Sequence, residues 1–468
     1  MSFEDAGGIT RARTFAEQSA IENRKARMAV PKARDVKLTA GREKVVLVGG
    51  YRPGDLLPGE EPLEELQRLA ETAGAEVVGK VVQNIRQINP ATHIGKGKVE
   101  EVQELALERG AKCVLFDHDL MPGQGRALDQ ATSLKVLDRT ELILDIFASR
   151  ARTRTAIVQV QIAMLEYRLP RLKRLWTHLE RQTGGIGVRG GPGERQLEVD
   201  RRKIEKHLDD LRHEQKEIEG RKERMVRTRA RDHYLVSLVG YTNAGKSTLM
   251  KALTGEDVFI EDRLFATLDT KTSLLKLGGG VSALLSDTVG FIRRLPHHLV
   301  ASFHATLEET RTADLLLHVA DASSPLVRGQ VEAVNGVLQE LGAAGRETLL
   351  LLNKVDAIPQ GLELDFKLLR GDFPEAIPIS ALQRQGLERL KNEIRERARE
   401  QAKPLVVAVH AGDGRTLSFL ATHFFEDSRE ADGDWIRLTG RASRGVLDKL
   451  LKTHATVRIL EGGPEGEF

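Results

Sequence analysis

Cysteine is almost absent from this sequence: Cys113 is the single one in 468 residues. An internal disulfide is therefore excluded, and so is a zinc site built on cysteine pairs. Cys113 itself, in the apolar stretch AKCVLF, reads as a small buried hydrophobe of a strand. No apolar run approaches the roughly 18 residues that a membrane helix requires. The first residues, MSFEDAGGIT, lack the basic-then-apolar pattern of a secretory signal. The expectation is a cytoplasmic protein with no membrane insertion. Aromatic residues make up only 4%, and neither sign of charge dominates, the formal net charge being +3. With 40% hydrophobic and 30% charged residues, the balance is that of a folded soluble chain, not a disordered one. No histidine stands with Cys or Glu at metal-ligand spacing.

What is present is length, strand and helix alternation, and glycine. A chain of this length exceeds one ordinary core. Residues 1–40 are a polar and basic extension with little apolar periodicity. From 41 to 150, strand patterns such as KVVLVGG, AEVVGKVVQ and CVLFD alternate with helical ones such as LEELQRLAETAG, which predicts an N-terminal α/β domain. Residues 151–230 carry helical stripes instead: Leu165, Leu169, Leu172, Leu175 and Leu179, then Leu197, Ile204, Leu208, Leu211 and Ile218. Two stripes around one short loop predict an antiparallel helical hairpin, with Pro170 kinking the first helix or marking its start. From 231 to 402 the strands YLVSLVG, ADLLLHVAD and TLLLLN and the hairpin TSLLKLGGGVSALLSD indicate a doubly wound domain, and 403–468 a small C-terminal α/β domain. The fold expected is thus α/β and multidomain. Charge is uneven along it: from Glu166 to Ala230, 18 Lys or Arg stand against 12 Asp or Glu, a surplus that suits a phosphate-rich partner.

The chemistry is concentrated in the doubly wound region. GYTNAGKST follows an apolar strand and precedes a helical stretch, the context a phosphate-binding loop requires. There Gly240, Tyr241, Thr242, Asn243, Ala244, Gly245, Lys246, Ser247 and Thr248 would wrap the phosphates with backbone N–H groups. Lys246 would reach the β and γ phosphates, and Ser247 would bind Mg²⁺. NKVD ends the strand TLLLL, and Asp356 can accept two hydrogen bonds from guanine that adenine cannot offer. Asn353 and Lys354 would brace the base and the loop, and Ser380, Ala381 and Leu382 would supply a backbone amide for the guanine oxygen. DTVGF provides Asp287 for Mg²⁺ and Gly290 as a donor to the γ-phosphate. Thr267 is the first choice for the nucleotide-sensing threonine and a Mg²⁺ ligand, with Thr270 and Thr272 as alternatives. Lys246, Thr267 and Gly290 are the groups expected to act on the γ-phosphate. The next residue is Phe291, whose ring cannot orient an attacking water as a glutamine can, so slow hydrolysis stimulated by a partner is expected. Asn243 has two readings: a ligand for a monovalent cation such as K⁺, or a structural contact of the loop.

GKGKVEE, LDRTELILDIFASRARTR, LPRL, GGIGVRGGPGERQLEVDRR, GYTNAGKST, LFATLDT and DTVGFI together resemble the HflX family of GTPases, over nearly all of residues 40–400. The resemblance implies a GTP hydrolase of the large ribosomal subunit that can split ribosomes into subunits, often under stress. A hydrophobic residue after DTVG belongs to the same pattern. Two departures stand out. Gly190 and Gly191 both precede Pro192, lengthening that loop by one residue, and Thr270 stands where proline is common. The glycine-rich stretch 184–194 has a helical pattern before it and Glu194 after it, unlike a phosphate cradle. It reads as a tip that approaches ribosomal RNA, with Gly187, Arg189, Arg195, Arg201 and Arg202 as contacts. Competing readings are an RNA-remodelling ATPase and a regulatory GTPase with a protein partner.

Overall fold

The computed structural model describes residues 43–172, 192–255, 264–265, 267–268, 270–278, 281–293, 304–359, 361, 363–453 and 457–461. The first block begins with strands β1 (Lys44–Tyr51) and β2 (Glu76–Asn84), separated by helix α1 (Glu64–Thr72). It continues with α2 (Lys96–Arg109), β3 (Cys113–Phe116), α3 (Pro122–Thr132), β4 (Lys135–Asp138) and α4 (Arg139–Arg150). The four strands are parallel, in the order β2-β1-β3-β4. Helices cover both faces of such a sheet, which is why β1 is almost uninterrupted in apolar residues and buried at seven of its eight positions. Cys113 is buried in β3. Helix α4 starts where Asp138 accepts the N–H of Glu141 at 2.9 Å.

Helix α5 (Arg154–Arg168) follows, capped by Thr153, whose hydroxyl accepts the N–H of Ala156 at 3.2 Å. Pro170 sits in a 3-10 turn, Leu169–Arg171, that follows α5, and Leu172 just beyond it is helical again, so the proline marks a break in the helical path. The cap at Thr153 fixes the true start. Helix α6 (Pro192–Asp232) then extends for 41 residues, about 60 Å at 1.5 Å per residue. It packs against α5 through Val158, Ile162, Leu208 and Leu211, with Leu165 and Ile218 at the edges. Arg154 grips Glu214 with two hydrogen bonds of 2.6 Å, and Arg212 reaches Glu166 at 2.8 Å. Gly187 and Arg189, with most of the glycine-rich stretch, and Leu175 and Leu179 lie outside the described residues.

One residue after α6, β5 (Tyr234–Gly240) opens the central sheet. The remaining elements here are α7 (Lys246–Thr254), β6 (Lys271–Gly278), β7 (Val281–Asp287), α8 (His304–Thr312), β8 (Leu315–Asp321), α9 (Val327–Glu340), β9 (Thr348–Asn353), α10 (Glu363–Asp372), β10 (Ile377–Pro378) and α11 (Leu387–Gln401). The order is β10-β9-β8-β5-β7-β6, parallel except for the edge strand β6. The polar residues that matter cluster at the carboxyl ends of β5, β7 and β9, the usual mouth of an open α/β sheet.

The chain closes with β11 (Lys403–His410), α12 (Gly414–His423), β12 (Phe424–Asp432), β13 (Trp435–Ala442), α13 (Arg444–Thr453) and β14 (Arg458–Glu461). This sheet, in the order β12-β13-β11-β14, is antiparallel throughout. Its core of Leu405, Val407, Val409, Leu420, Leu438 and Leu450 lies between one sheet face and the two helices. Among the described residues no helix is long and apolar enough to cross a membrane.

Candidate active site

The loop between β5 and α7 turns on Gly245, whose φ of 94° belongs to the left-handed region; a Cβ there would fall on the side-chain amide of Asn353. That amide is part of a brace. Asn353 Nδ2 donates to the carbonyl of Ala244 at 2.8 Å, and Asn353 Oδ1 accepts the N–H of Ala381 at 3.0 Å. One buried side chain therefore ties the phosphate loop to the Ser380–Leu382 loop. Lys354 beside it is held at 2.7 Å by Asp321 at the end of β8. Asp356 is exposed, its carboxylate open toward the cavity.

The cavity has a volume of about 430 Å³, enough for a nucleotide. It is lined by predicted residues from both ends of the motif series, from Lys246 and Ser247 through Thr267 and Gly290 to Asp356 and Leu382. Gly240, Ala244, Asp287 and Ser380 stand behind the lining. Tyr241 leaves the cavity: only its carbonyl stays in the loop, while its ring is buried and its hydroxyl donates to Glu65 of α1. Sequence reasoning missed three lining residues, Phe265, Thr288 and Ala357. Phe265 has a φ of 57°, unusual for a bulky side chain, and no sequence signal predicts that. Thr288, in contrast, lies inside the DTVGF motif, and its hydroxyl donates to the carbonyl of Leu238 at 2.6 Å.

The electrostatics follow from burial. Lys246 Nζ donates to the carbonyls of Gly240 at 3.1 Å and Tyr241 at 2.9 Å. Burial lowers its pKa to about 8, an effect that Asp287 only partly opposes. His318 on β8 is buried close by; desolvation, then Lys246, lowers its pKa to about 4, so it is a neutral core residue. Burial raises Asp287, against the pull of Lys246, Ser247 and Thr267.

The three predicted metal-binding residues converge on one carboxylate oxygen. Ser247 Oγ is 2.7 Å and Thr267 Oγ1 3.1 Å from Asp287 Oδ2, and the two hydroxyls are 3.0 Å apart. Asp287 Oδ1 is buried without a hydrogen-bond partner. A set of hard oxygens around a buried anion fits a divalent cation that completes its shell with phosphate and water oxygens. Among the described residues there is no group of three or more His, Cys, Asp or Glu side chains placed to hold a metal by itself. Thr270 and Thr272 point elsewhere, to Glu309 of α8 at 3.3 and 3.4 Å. Phe291 is 2% exposed and joined to the phosphate loop by backbone: Thr242 N–H donates to its carbonyl at 2.7 Å, and its own N–H donates to Gly240 at 3.1 Å.

Arg201 and Arg202 lie on the described part of α6, exposed, paired one turn away with Glu205 at 2.9 Å and Glu198 at 3.0 Å. Arg195 falls within α6, its side chain outside the described residues.

Three family models match the chain in succession: a GTP-binding GTPase N-terminal region over residues 60–148, a GTP-binding GTPase middle region over 150–229, and a 50S ribosome-binding GTPase over 235–354. A protein of Magnetococcus marinus named GTPase HflX is 46% identical over 392 residues, covering 83% of this chain and 89% of that one. One of Escherichia coli with the same name is 40% identical over 405 residues, covering 86% and 93%. Among solved structures, a GTP-binding protein of Sulfolobus solfataricus in complex with GDP is 24% identical, with 76% of this chain and 99% of that one covered and a TM-score of 0.40.

Proposed function

Because this chain belongs to the HflX family of GTPases, binding GTP and GDP and hydrolysing GTP, we propose that it works on the large ribosomal subunit, coupling GTP binding and hydrolysis to the splitting or recycling of ribosomes under stress. The observation that carries the partner is the match of residues 235–354 to 50S ribosome-binding GTPases. The basic helix α6 supports it. Exposed pairs such as Arg201–Glu205 contribute little to stability, so these arginines can exchange carboxylates for RNA phosphates at small cost. In this reading Gly187, Arg189 and Arg195 join Arg201 and Arg202 as RNA contacts, and the protein is cytoplasmic and in part ribosome-bound.

At the nucleotide, Lys246 and the amide of Gly290 face the γ-phosphate, Asp356 selects guanine, and Asn353 keeps base loop and phosphate loop in register. Ser247, Thr267 and Asp287 would hold Mg²⁺, which when bound neutralises charge on the phosphate oxygens. Thr267 is thereby the residue that senses the γ-phosphate. Asn243, exposed in the loop, offers an oxygen to K⁺; replacing K⁺ by Na⁺ in the turnover assay tests that point. Phe291, buried and held by backbone, cannot orient water, so hydrolysis requires a group from elsewhere and is stimulated by the partner.

The test is GTP turnover with and without purified large subunits, together with sedimentation of intact ribosomes in the presence of a non-hydrolysable GTP analogue. Stimulation, with splitting in the analogue, is the expected result. No stimulation and no splitting would remove the ribosome from the reading and leave the GTPase intact.

A further inference from the structure

A phosphate loop binds through its backbone N–H groups, and Thr242 in GYTNAGKST is expected to lend one of them. The structure uses that group elsewhere. The N–H of Thr242 donates to the carbonyl of Phe291 at 2.7 Å, one of two bonds that join the loop to the DTVGF segment. The other runs from the Phe291 N–H to the carbonyl of Gly240 at 3.1 Å. Whatever Thr242 contributes to a bound nucleotide must therefore come from its side chain. That side chain has an unmet bond. Thr242 lines the nucleotide cavity and is only 6% exposed, and its Oγ1 is buried without a hydrogen-bond partner among the described residues. Neighbouring hydroxyls of the cavity are placed differently: Ser247 and Thr267 donate to Asp287, and Thr288 donates to the carbonyl of Leu238.

A hydroxyl buried without a bond is costly, so it calls for a partner that the chain itself does not hold. Beside a phosphate loop, the acceptor that suits a hydroxyl donor is a phosphate oxygen. The position of Thr242 says which phosphate. A Cβ built on Gly290 would stand 2.9 Å from Thr242 Cγ2 and 3.0 Å from Lys246 Nζ, so both side chains close on one point. In the site proposed above, Gly290 and Lys246 face the γ-phosphate. A turn about Cα–Cβ exchanges the methyl and hydroxyl of Thr242 between staggered positions, while the backbone bond to Phe291 holds Cα in place. The hydroxyl can thus take the place that Cγ2 now has against Gly290. Phe291 brings no polar side-chain atom to this corner, its ring being buried hydrocarbon.

We propose that Thr242 is a further γ-phosphate ligand: its hydroxyl donates to an oxygen that GTP has and GDP lacks, and so joins Thr267 in distinguishing the two nucleotides. The two threonines differ in kind. Thr267 acts through Mg²⁺, whereas Thr242 touches the phosphate directly, so its contribution survives removal of the metal. This role rests on the nucleotide site proposed above and needs no ribosomal partner.

The experiment is equilibrium competition between a non-hydrolysable GTP analogue and GDP on the full chain, without ribosomes, for Thr242→Val and Thr242→Ser. Valine keeps the shape and the methyl but removes the hydroxyl; serine does the reverse. Thr242→Val should weaken the analogue roughly tenfold while GDP stays within about twofold, and Thr242→Ser should hold the analogue within about threefold of the unmodified protein. The loss in Thr242→Val should persist in metal-free buffer, where Thr267→Ala no longer matters. Should Thr242→Val fail to fold, as judged by melting temperature, Thr242→Ala set against Thr242→Ser makes the same comparison. Equal losses of analogue and GDP, an unchanged preference in Thr242→Val, or serine as weak as valine would overturn the proposal and leave the hydroxyl to water. Nucleotide binding undiminished by Lys246→Ala would instead remove the nucleotide site itself, and Thr242 with it.

Discussion

Raising the pH should weaken GDP binding through a single side chain, Lys246. In the nucleotide-free site its pKa is held down to about 8 by burial. A bound diphosphate brings negative charge to Nζ and returns the pKa toward or above the ordinary value near 10.4. The free protein thus carries less charge on this lysine than the complex does, and binding near pH 8 takes up a proton. The sign follows: affinity is full below the free-state value and falls as pH rises through it. With a free-state pKa of about 8, the charged fraction drops from roughly nine-tenths at pH 7 to one-quarter at pH 8.5, so the apparent Kd should rise about fourfold, close to 0.8 kcal/mol. Calorimetric titration with metal-free GDP at pH 8, in two buffers of different ionisation heat, should report uptake of roughly half a proton per nucleotide. Metal-free conditions keep Asp287 out of the balance, and this pH lies above the titration of the terminal phosphate near 6. Binding with no proton uptake, and a Kd flat between pH 7 and 8.5, would refute the reasoning.

Other expectations concern single contacts. Thr267→Ala should erode the preference for a GTP analogue over GDP in Mg²⁺ by roughly tenfold, while Thr270→Ala, whose hydroxyl faces Glu309, should leave it unchanged; equilibrium competition distinguishes them. Asn353→Ala removes partners from both the Ala244 carbonyl and the Ala381 N–H, at about 1–3 kcal/mol each, and should lower GDP affinity more than tenfold in direct titration. Replacing Arg201 and Arg202 together with alanine should reduce the slope of log K against log salt for large-subunit binding by roughly 1 to 2, with intrinsic GTP turnover unchanged.

The sequence revealed this site unevenly, and the physical reasons can be read from individual residues. Strands such as β5 and β8 are legible because a parallel sheet buried on both faces demands near-continuous apolar runs. The phosphate loop and NKVD are legible because their glycines and polar groups are required at fixed spacing. Where a motif leaves a position free, the information ends: nothing in GYTNAGKST indicates that Tyr241 turns away from the phosphates to reach Glu65, 176 residues earlier in the chain. The left-handed backbone of Phe265 is equally silent, because tertiary packing against Phe147 imposes it. Helix α12 and the hairpin of β12 and β13 also escaped notice. β12 is exposed at most positions, so its charged residues hide the alternation that marks a half-buried strand; only the turn at Gly433 signals it. The start of α5 was harder to read: the leucine stripe runs on across the break at Pro170, while the helix had begun after Thr153, where a small polar cap is easily overlooked.

Helix α6 joins the central sheet at the amino end of β5, with only His233 between its last residue, Asp232, and the first of the strand. Such a connection makes it a lever. Over an arm of about 60 Å, one degree of tilt at Asp232 displaces the far end at Pro192 by roughly 1 Å. A few degrees, no more than packed helices accommodate by side-chain adjustment, would carry that end several ångströms. Small shifts of β5 within the central sheet can thus become displacements on the scale of the contacts that hold two large bodies together.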